Sequence, residues 1–254
     1  DLEDIARKFV SWRYEATWTP HGEVFDIGNT TAESLQMLKK ILESGDPADL
    51  EWMKHRGDEH SNGNGALMRI LPLYFYLHDK SPEQQSDIIW DVSGLTHGHI
   101  RSALACSIYL VMADEIVKGR DLQEAYARTR RRAADIFLKN RVPEQEQRHF
   151  RRIVALDISE ASRNAIYSAG YVIYSLEAAF WSLLNSNSYE ETVLTAVNLG
   201  EDTDTNAAIA GGLAGLYYGA ERIPSSWLQS IVRLEEIEQL CNELNEIYPV
   251  KPLF

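Results

Sequence analysis

The chain has 254 residues, 44% hydrophobic and 25% charged, with a formal net charge of −13. That is a globular composition, long enough for one large domain or two small ones. The acidic balance argues against nucleic-acid partners, whose phosphates it would repel, and no apolar run reaches the roughly 18 residues of a membrane span.

Helical periodicity runs along the chain. Residues 1–16 place Leu2, Ile5, Phe9 and Trp12 on one face, and residues 31–43 repeat the pattern with Leu35, Leu38 and Ile41 or Leu42. The chain opens at Asp1 directly in this first amphipathic helix, with no secretory segment ahead of it, so an N-terminal piece is expected to be missing. Residues 65–78 carry Leu67, Met68, Leu71, Tyr74 and Phe75 and predict a third helix. SPEQ at 81–84 reads as an N-cap followed by a first-turn proline. Two long helices are predicted over 99–118 and 121–139, with a shorter one over 145–155.

The stretch 165–185 is apolar nearly all round and predicts a central helix. Residues 188–198 and 226–246 complete the set, and no alternating strand pair stands out, so the chain reads as one all-α domain. Cys106 and Cys241 both lie in apolar helical patterns, as buried, reduced thiols of a cytoplasmic protein would. They offer no metal-ligand spacing.

Glycine and asparagine concentrate in three polar loops, each leading into an apolar helix: FDIGNTT (25–31), SNGNGALMR (61–69) and LGEDTDTNAA (199–208). Functional groups favour such loops on a rigid scaffold. Asp202, Asp204 and Thr205 are oxygen donors packed into four positions at a helix start. Hard divalent cations take such ligands, while helix N-capping uses the same residue types. The helix that follows is rich in glycine and alanine up to Gly215, which suits close packing of backbones. Ser61 to Gly65 form a glycine loop whose amides could cradle an anion such as a diphosphate, with Arg69 one turn further on; a plain turn and cap would look similar. Asp26 stands in a turn before an N-cap candidate. His97 and His99 are two residues apart at a helix start, where zinc binding competes with capping and no third soft ligand is near.

Taken in this order, FDIGNTT, SNGNGALMRILPL, LTHGHIRS, SAGYVIYSLEAAFW and AVNLGEDTDTNAAIAGGLAGLYYG resemble the ADP-ribosylglycohydrolase family. The resemblance implies a compact orthogonal bundle of helices around a centre of two Mg²⁺ or Mn²⁺ ions. It implies metal ligation by Asp202, Asp204 and Thr205. Substrate contacts would come from Ser61, Asn62, Gly63, Asn64, Gly65, His97, Gly170 and Tyr171. Asp26 and Asp202 would be the catalytic carboxylates. The implied activity is hydrolysis of the bond between ADP-ribose and a protein side chain, arginine first, or a small acceptor. The family's G-D-x-x-G and T-D-D-T segments would precede Asp1. This chain contains no Asp-Asp dipeptide, so residues 1–254 are expected to carry only part of the ligand set. A binding module for ADP-ribose or a nucleotide, without turnover, is the alternative. Oligomeric state is left open.

Overall fold

The computed structural model describes residues 1–250, apart from the side chains of residues 47 and 48. Helix α1 (Leu2–Glu15) starts under the Asp1 carboxylate, which accepts from Glu3 N at 2.9 Å. Helix α2 (Asn29–Ser44) buries Leu35, Leu38 and Ile41, as its periodicity predicts, and ends at Gly45 in the left-handed region. Helix α3 (Pro47–Met53) follows at once. These three helices close a small core of Ala6, Leu35, Leu38, Met53 and Leu95.

A short 3-10 turn (Leu67–Arg69) leads to α4 (Leu73–Leu77). Helix α5 (Pro82–Gly94) begins with a capping box between Ser81 and Gln84 and a first-turn proline. Helix α6 (Ile100–Val117) is buried almost all round, and α7 (Leu122–Lys139) lies against it, its first turn capped by Asp121. Then come α8 (Glu144–His149), α9 (Arg151–Val154), α10 (Val172–Leu184), α11 (Tyr189–Val197), α12 (Thr203–Tyr218), α13 (Ser225–Leu228) and α14 (Leu234–Ile247).

The main core forms where α12 packs between α10, α11 and α6. Glycines allow that approach. A Cβ at Gly212 would stand 2.7 Å from Leu71 Cδ2 and 2.8 Å from Tyr109 Oη, and that hydroxyl donates to Ile209 O at 2.9 Å. The penalty of roughly 1 kcal/mol for a glycine inside a helix is offset by this contact. Among the described residues there is no strand, and the one sheet-like pairing is an isolated antiparallel bridge between Gly63 and Tyr171. No described helix is long and apolar enough to cross a membrane.

The fold is all-α, as the periodicity predicts, but several boundaries differ. The helix expected over 65–78 is broken, because Pro72 has no N–H and restrains the residue before it. The helix expected from 165 starts at Val172, because residues 170–172 spend their backbone groups on the 62–64 loop. Residues 226–246 divide into α13 and α14, with Arg233 in the left-handed region between them (φ 65°). The 145–155 stretch divides at Phe150, and α3 was not anticipated. Cys106 is buried as expected, whereas Cys241 is exposed on α14, a helix with no buried residue.

Candidate functional site

The site begins with two loops joined by their backbones. Asn64 N donates to Gly170 O and Val172 N donates to Asn62 O, both at 2.9 Å. Across this seam the Asn64 side-chain amide donates to Asp202 Oδ2 at 2.7 Å and to Ser175 Oγ at 2.8 Å, so both its hydrogens are used. Gly170 lies directly beneath: a Cβ there would come within 3.0 Å of Asp202 Oδ2. Asp202 is also held through its backbone, since its N–H donates to Ser168 O at 3.2 Å. Asn206 Nδ2 donates to the same carbonyl at 2.5 Å, and Glu201 Oε2 accepts from Ser168 N and Oγ, each at 3.2 Å. Three segments distant in sequence thus converge on one carboxylate.

A second tier supports the glycine loop from below. His97 is buried, with Nδ1 2.8 Å from Thr96 Oγ1, and its Nε2 lies 3.4 Å from where a Cβ of Gly63 or Gly65 would sit. Burial, with the nearby Arg69 cation, pushes its pKa down to about 3, so the ring is neutral at ordinary pH. Asn62 is buried and accepts from Ser102 Oγ at 3.2 Å. His99 caps α6 by accepting from Arg101 N at 3.2 Å. The two histidines therefore do separate jobs, and capping rather than metal binding accounts for His99. Ser61 Oγ donates to Asp58 Oδ1 at 2.9 Å.

Tyr171 is braced from the other side. Arg101 makes two bonds of 2.9 Å to the Glu146 carboxylate and donates to Tyr171 Oη from Nη1 at 3.1 Å. The Tyr171 ring stands edge-on to Tyr174, with centroids 5.0 Å apart.

Asn62, Gly63, Asn64, Gly170, Tyr171 and Asp202 therefore meet in one cluster, with Ser61 at its edge, and Gly65 and His97 beside it. Asp204 and Thr205 occupy the first turn of α12 after Asp202, Asp204 exposed and Thr205 half-buried. Asp26 is exposed and makes no side-chain hydrogen bond among the described residues. Its loop enters α2, whose Thr31 Oγ1 stands 3.0 Å from where a Cβ of Gly65 would sit. Sequence reasoning missed Ser168, Ser175, Asn206 and Arg101. A signal existed for Ser175, a polar residue inside the apolar run of α10. A cavity of about 510 Å³ among α4, α5, α6 and α7, lined by Tyr74, His78, Asp114 and Arg132, shares no residue with this cluster.

A helical bundle with a glycine loop sewn to an aspartate at the head of a glycine-rich helix defines a class. This chain belongs to the ADP-ribosylglycohydrolase family, whose model matches residues 1–252. It is similar to the ADP-ribosylarginine hydrolase Tri1 of Pseudomonas putida (strain GB-1), 29% identical over 250 residues, 98% of this chain and 61% of that protein. The ADP-ribosylarginine hydrolase Tri1 of Serratia proteamaculans (strain 568) is likewise 29% identical, over 98% of this chain and 62% of its own length. The chain thus spans about three fifths of the length of these curated relatives. Its fold is similar to a solved structure described as an ADP-ribosylglycohydrolase-related protein complex. That match has a TM-score of 0.73 at 27% identity and covers 98% of this chain and 75% of the other.

Proposed function

We propose that this chain carries the ADP-ribose-binding face of a hydrolase that cleaves the glycosidic bond between C1″ of ADP-ribose and a protein side chain, arginine being the acceptor. One observation carries the reading: the Asn64–Asp202 hydrogen bond over Gly170, which draws three separate motifs into one polar cluster. The relatives named ADP-ribosylarginine hydrolase support the acceptor. The net charge of −13 suits cationic, arginine-bearing substrates.

In this reading the loop from Ser61 to Gly65 wraps the nucleotide, Tyr171 and Gly170 approach it from the facing loop, and buried His97 supports the glycines. Asp202, fixed by Asn64, faces the distal ribose. Asp26 is solvent-accessible and exchanges a proton with the leaving group or attacking water. Negative charge from Asp26 favours an oxocarbenium-like transition state.

Asp202, Asp204 and Thr205 offer only oxygen donors, which fits Mg²⁺ or Mn²⁺. Asn64 occupies Oδ2 of Asp202 and leaves Oδ1 without a protein donor among the described residues. These three residues would hold one side of the metal centre, which in the family reading has two ions. Bound metal would neutralise the paired carboxylates and orient ribose hydroxyls and water.

A specific observation favours a second reading for residues 1–254 taken alone. Among the described residues, no group of three His, Cys, Asp or Glu side chains is placed to hold a metal. The chain would then bind ADP-ribose without turning it over. Incubation with an ADP-ribosyl-arginine protein and Mg²⁺ or Mn²⁺, followed by measurement of free ADP-ribose, decides between them. Release supports the hydrolase. Calorimetric binding of ADP-ribose without release supports the module, and the absence of both release and binding overturns both readings.

A further inference from the structure

Arg69 differs from the other buried and half-buried arginines that follow. Arg101 is paired with Glu146, Arg132 with Asp114 and Glu115, and Arg152 with Glu177. Arg69 has no carboxylate in ion-pair reach among the described residues. Its Nη1 donates to Gly65 O and its Nη2 to Thr96 Oγ1 at 2.5 Å, its guanidinium lies 4.7 Å from the centroid of the Phe9 ring, and its buried Nε has no partner. The neighbouring titratable groups supply no counter-charge. His97 is neutral, and burial pushes the Cys106 thiol up to about 12. Burial brings the guanidinium itself down to about 10, which still leaves it charged at neutral pH. A half-buried cation with no counter-ion among the described residues is costly to keep, and an incoming anion would relieve that cost.

The Gly65 carbonyl that accepts from Arg69 belongs to the peptide whose N–H is on Ala66. Polarising that carbonyl makes the N–H a stronger donor. The amides of Gly63, Gly65 and Ala66 have no acceptor among the described residues.

We propose that Arg69 is a positioning residue that makes the 61–66 loop select phosphate-bearing ligands, by pinning Gly65 and by supplying unneutralised positive charge behind the loop. The inference rests on the ADP-ribose reading above and deepens it by naming the residue that positions and charges this loop.

The test is calorimetry of adenosine, AMP and ADP-ribose with the wild-type chain, Arg69→Gln and Arg69→Lys. Wild-type affinity is expected to rise with phosphate content. Arg69→Gln should bind ADP-ribose about tenfold more weakly, the loss of one charge-assisted interaction, with adenosine unchanged. Arg69→Lys keeps the charge but loses the fork that pins Gly65, so it should bind ADP-ribose about threefold more weakly than wild type, with adenosine unchanged. It answers the same question if Arg69→Gln does not fold, and an Arg69→Lys variant that binds ADP-ribose like wild type, or that loses adenosine in the same proportion, then overturns the proposal. So does an Arg69→Gln variant that binds ADP-ribose like wild type, or that loses adenosine in the same proportion. A wild-type chain that binds all three ligands equally overturns the role of Arg69 and leaves the ADP-ribose site standing. A wild-type chain that binds none overturns both.

Discussion

Asn64 and Asp202, 138 positions apart in sequence, are joined by one hydrogen bond of 2.7 Å that ties the glycine loop to the head of α12. The same Asn64 amide is anchored to Ser175 on α10. Loop, central helix and carboxylate are thus a single mechanical unit.

Asn64→Ala removes both side-chain bonds and leaves Asp202 Oδ2 without its donor. The expected loss is about 1–3 kcal/mol of unfolding free energy, read by denaturant titration. ADP-ribose affinity should fall by more than the stability change explains, because Asp202 is released within a folded chain. Unchanged affinity would remove Asp202 from the binding face.

Gly170→Ala places a methyl 3.0 Å from Asp202 Oδ2, tighter than ordinary contact. The carboxylate must shift by a few tenths of an ångström, or the seam between residues 62–64 and 170–172 must open. Stability should drop by about 1–3 kcal/mol. Asn64 and Asp202 amide resonances should move together in an NMR spectrum. Unshifted Asn64 and Asp202 resonances in the variant would show that the carboxylate has free room.

Gly212→Ala tests the packing of α12 separately from the site. Alanine gains roughly 1 kcal/mol in helix propensity. The new methyl would however lie 2.7 Å from Leu71 and 2.8 Å from the Tyr109 hydroxyl, so a net loss of about 1–2 kcal/mol is expected. At Gly211 the nearest atoms are 3.3 Å and 3.4 Å away, on Val193 and Tyr189, and alanine there should cost less. Equal midpoints for the two variants would contradict the asymmetry.

His97 gives a pH dependence whose sign follows from linkage. Its folded pKa, about 3, lies below its ordinary value of 6.5. Between these values the unfolded chain binds the proton that the folded chain refuses, so stability falls as pH drops from 6.5 towards 3. His97→Gln removes that titration. Its unfolding free energy should vary less steeply over this window than the wild type's, while parallel curves would mean that His97 titrates normally.

Asp204→Ala should leave the fold intact, because the side chain is exposed on the first turn of α12, and surface changes of this kind stay within about 0.5 kcal/mol. Metal-dependent release of ADP-ribose should disappear, and any Mn²⁺-induced rise in melting midpoint with it. Activity that survives in Asp204→Ala, or that persists after chelation, rejects the metal assignment.

Much of the scaffold was legible in the chain itself. The apolar faces of α1 and α2, the Ser81 capping box, and the long helices α6 and α7 follow from local spacing and end-group chemistry. The glycine loop and the acids at the head of α12 were also visible, because each departs from the helical period around it, whereas Gly170 and Tyr171 stood out only through the family resemblance, since the apolar period runs through them. The breaks at Pro72 and Arg233 were not, since hydrophobic periodicity continues across them.

The sequence by itself determined helix content, the position of the polar loops and the donor types they carry, all of which depend on neighbours a few residues away. Only the tertiary structure decided that Asn64 holds Asp202, that His97 lies buried under Gly63 and Gly65, and that Arg69 has no counter-ion among the described residues. The first two relations join residues from 32 to 138 positions apart, on the numbering of the chain. They depend on which helices pack together, and no local spacing encodes that.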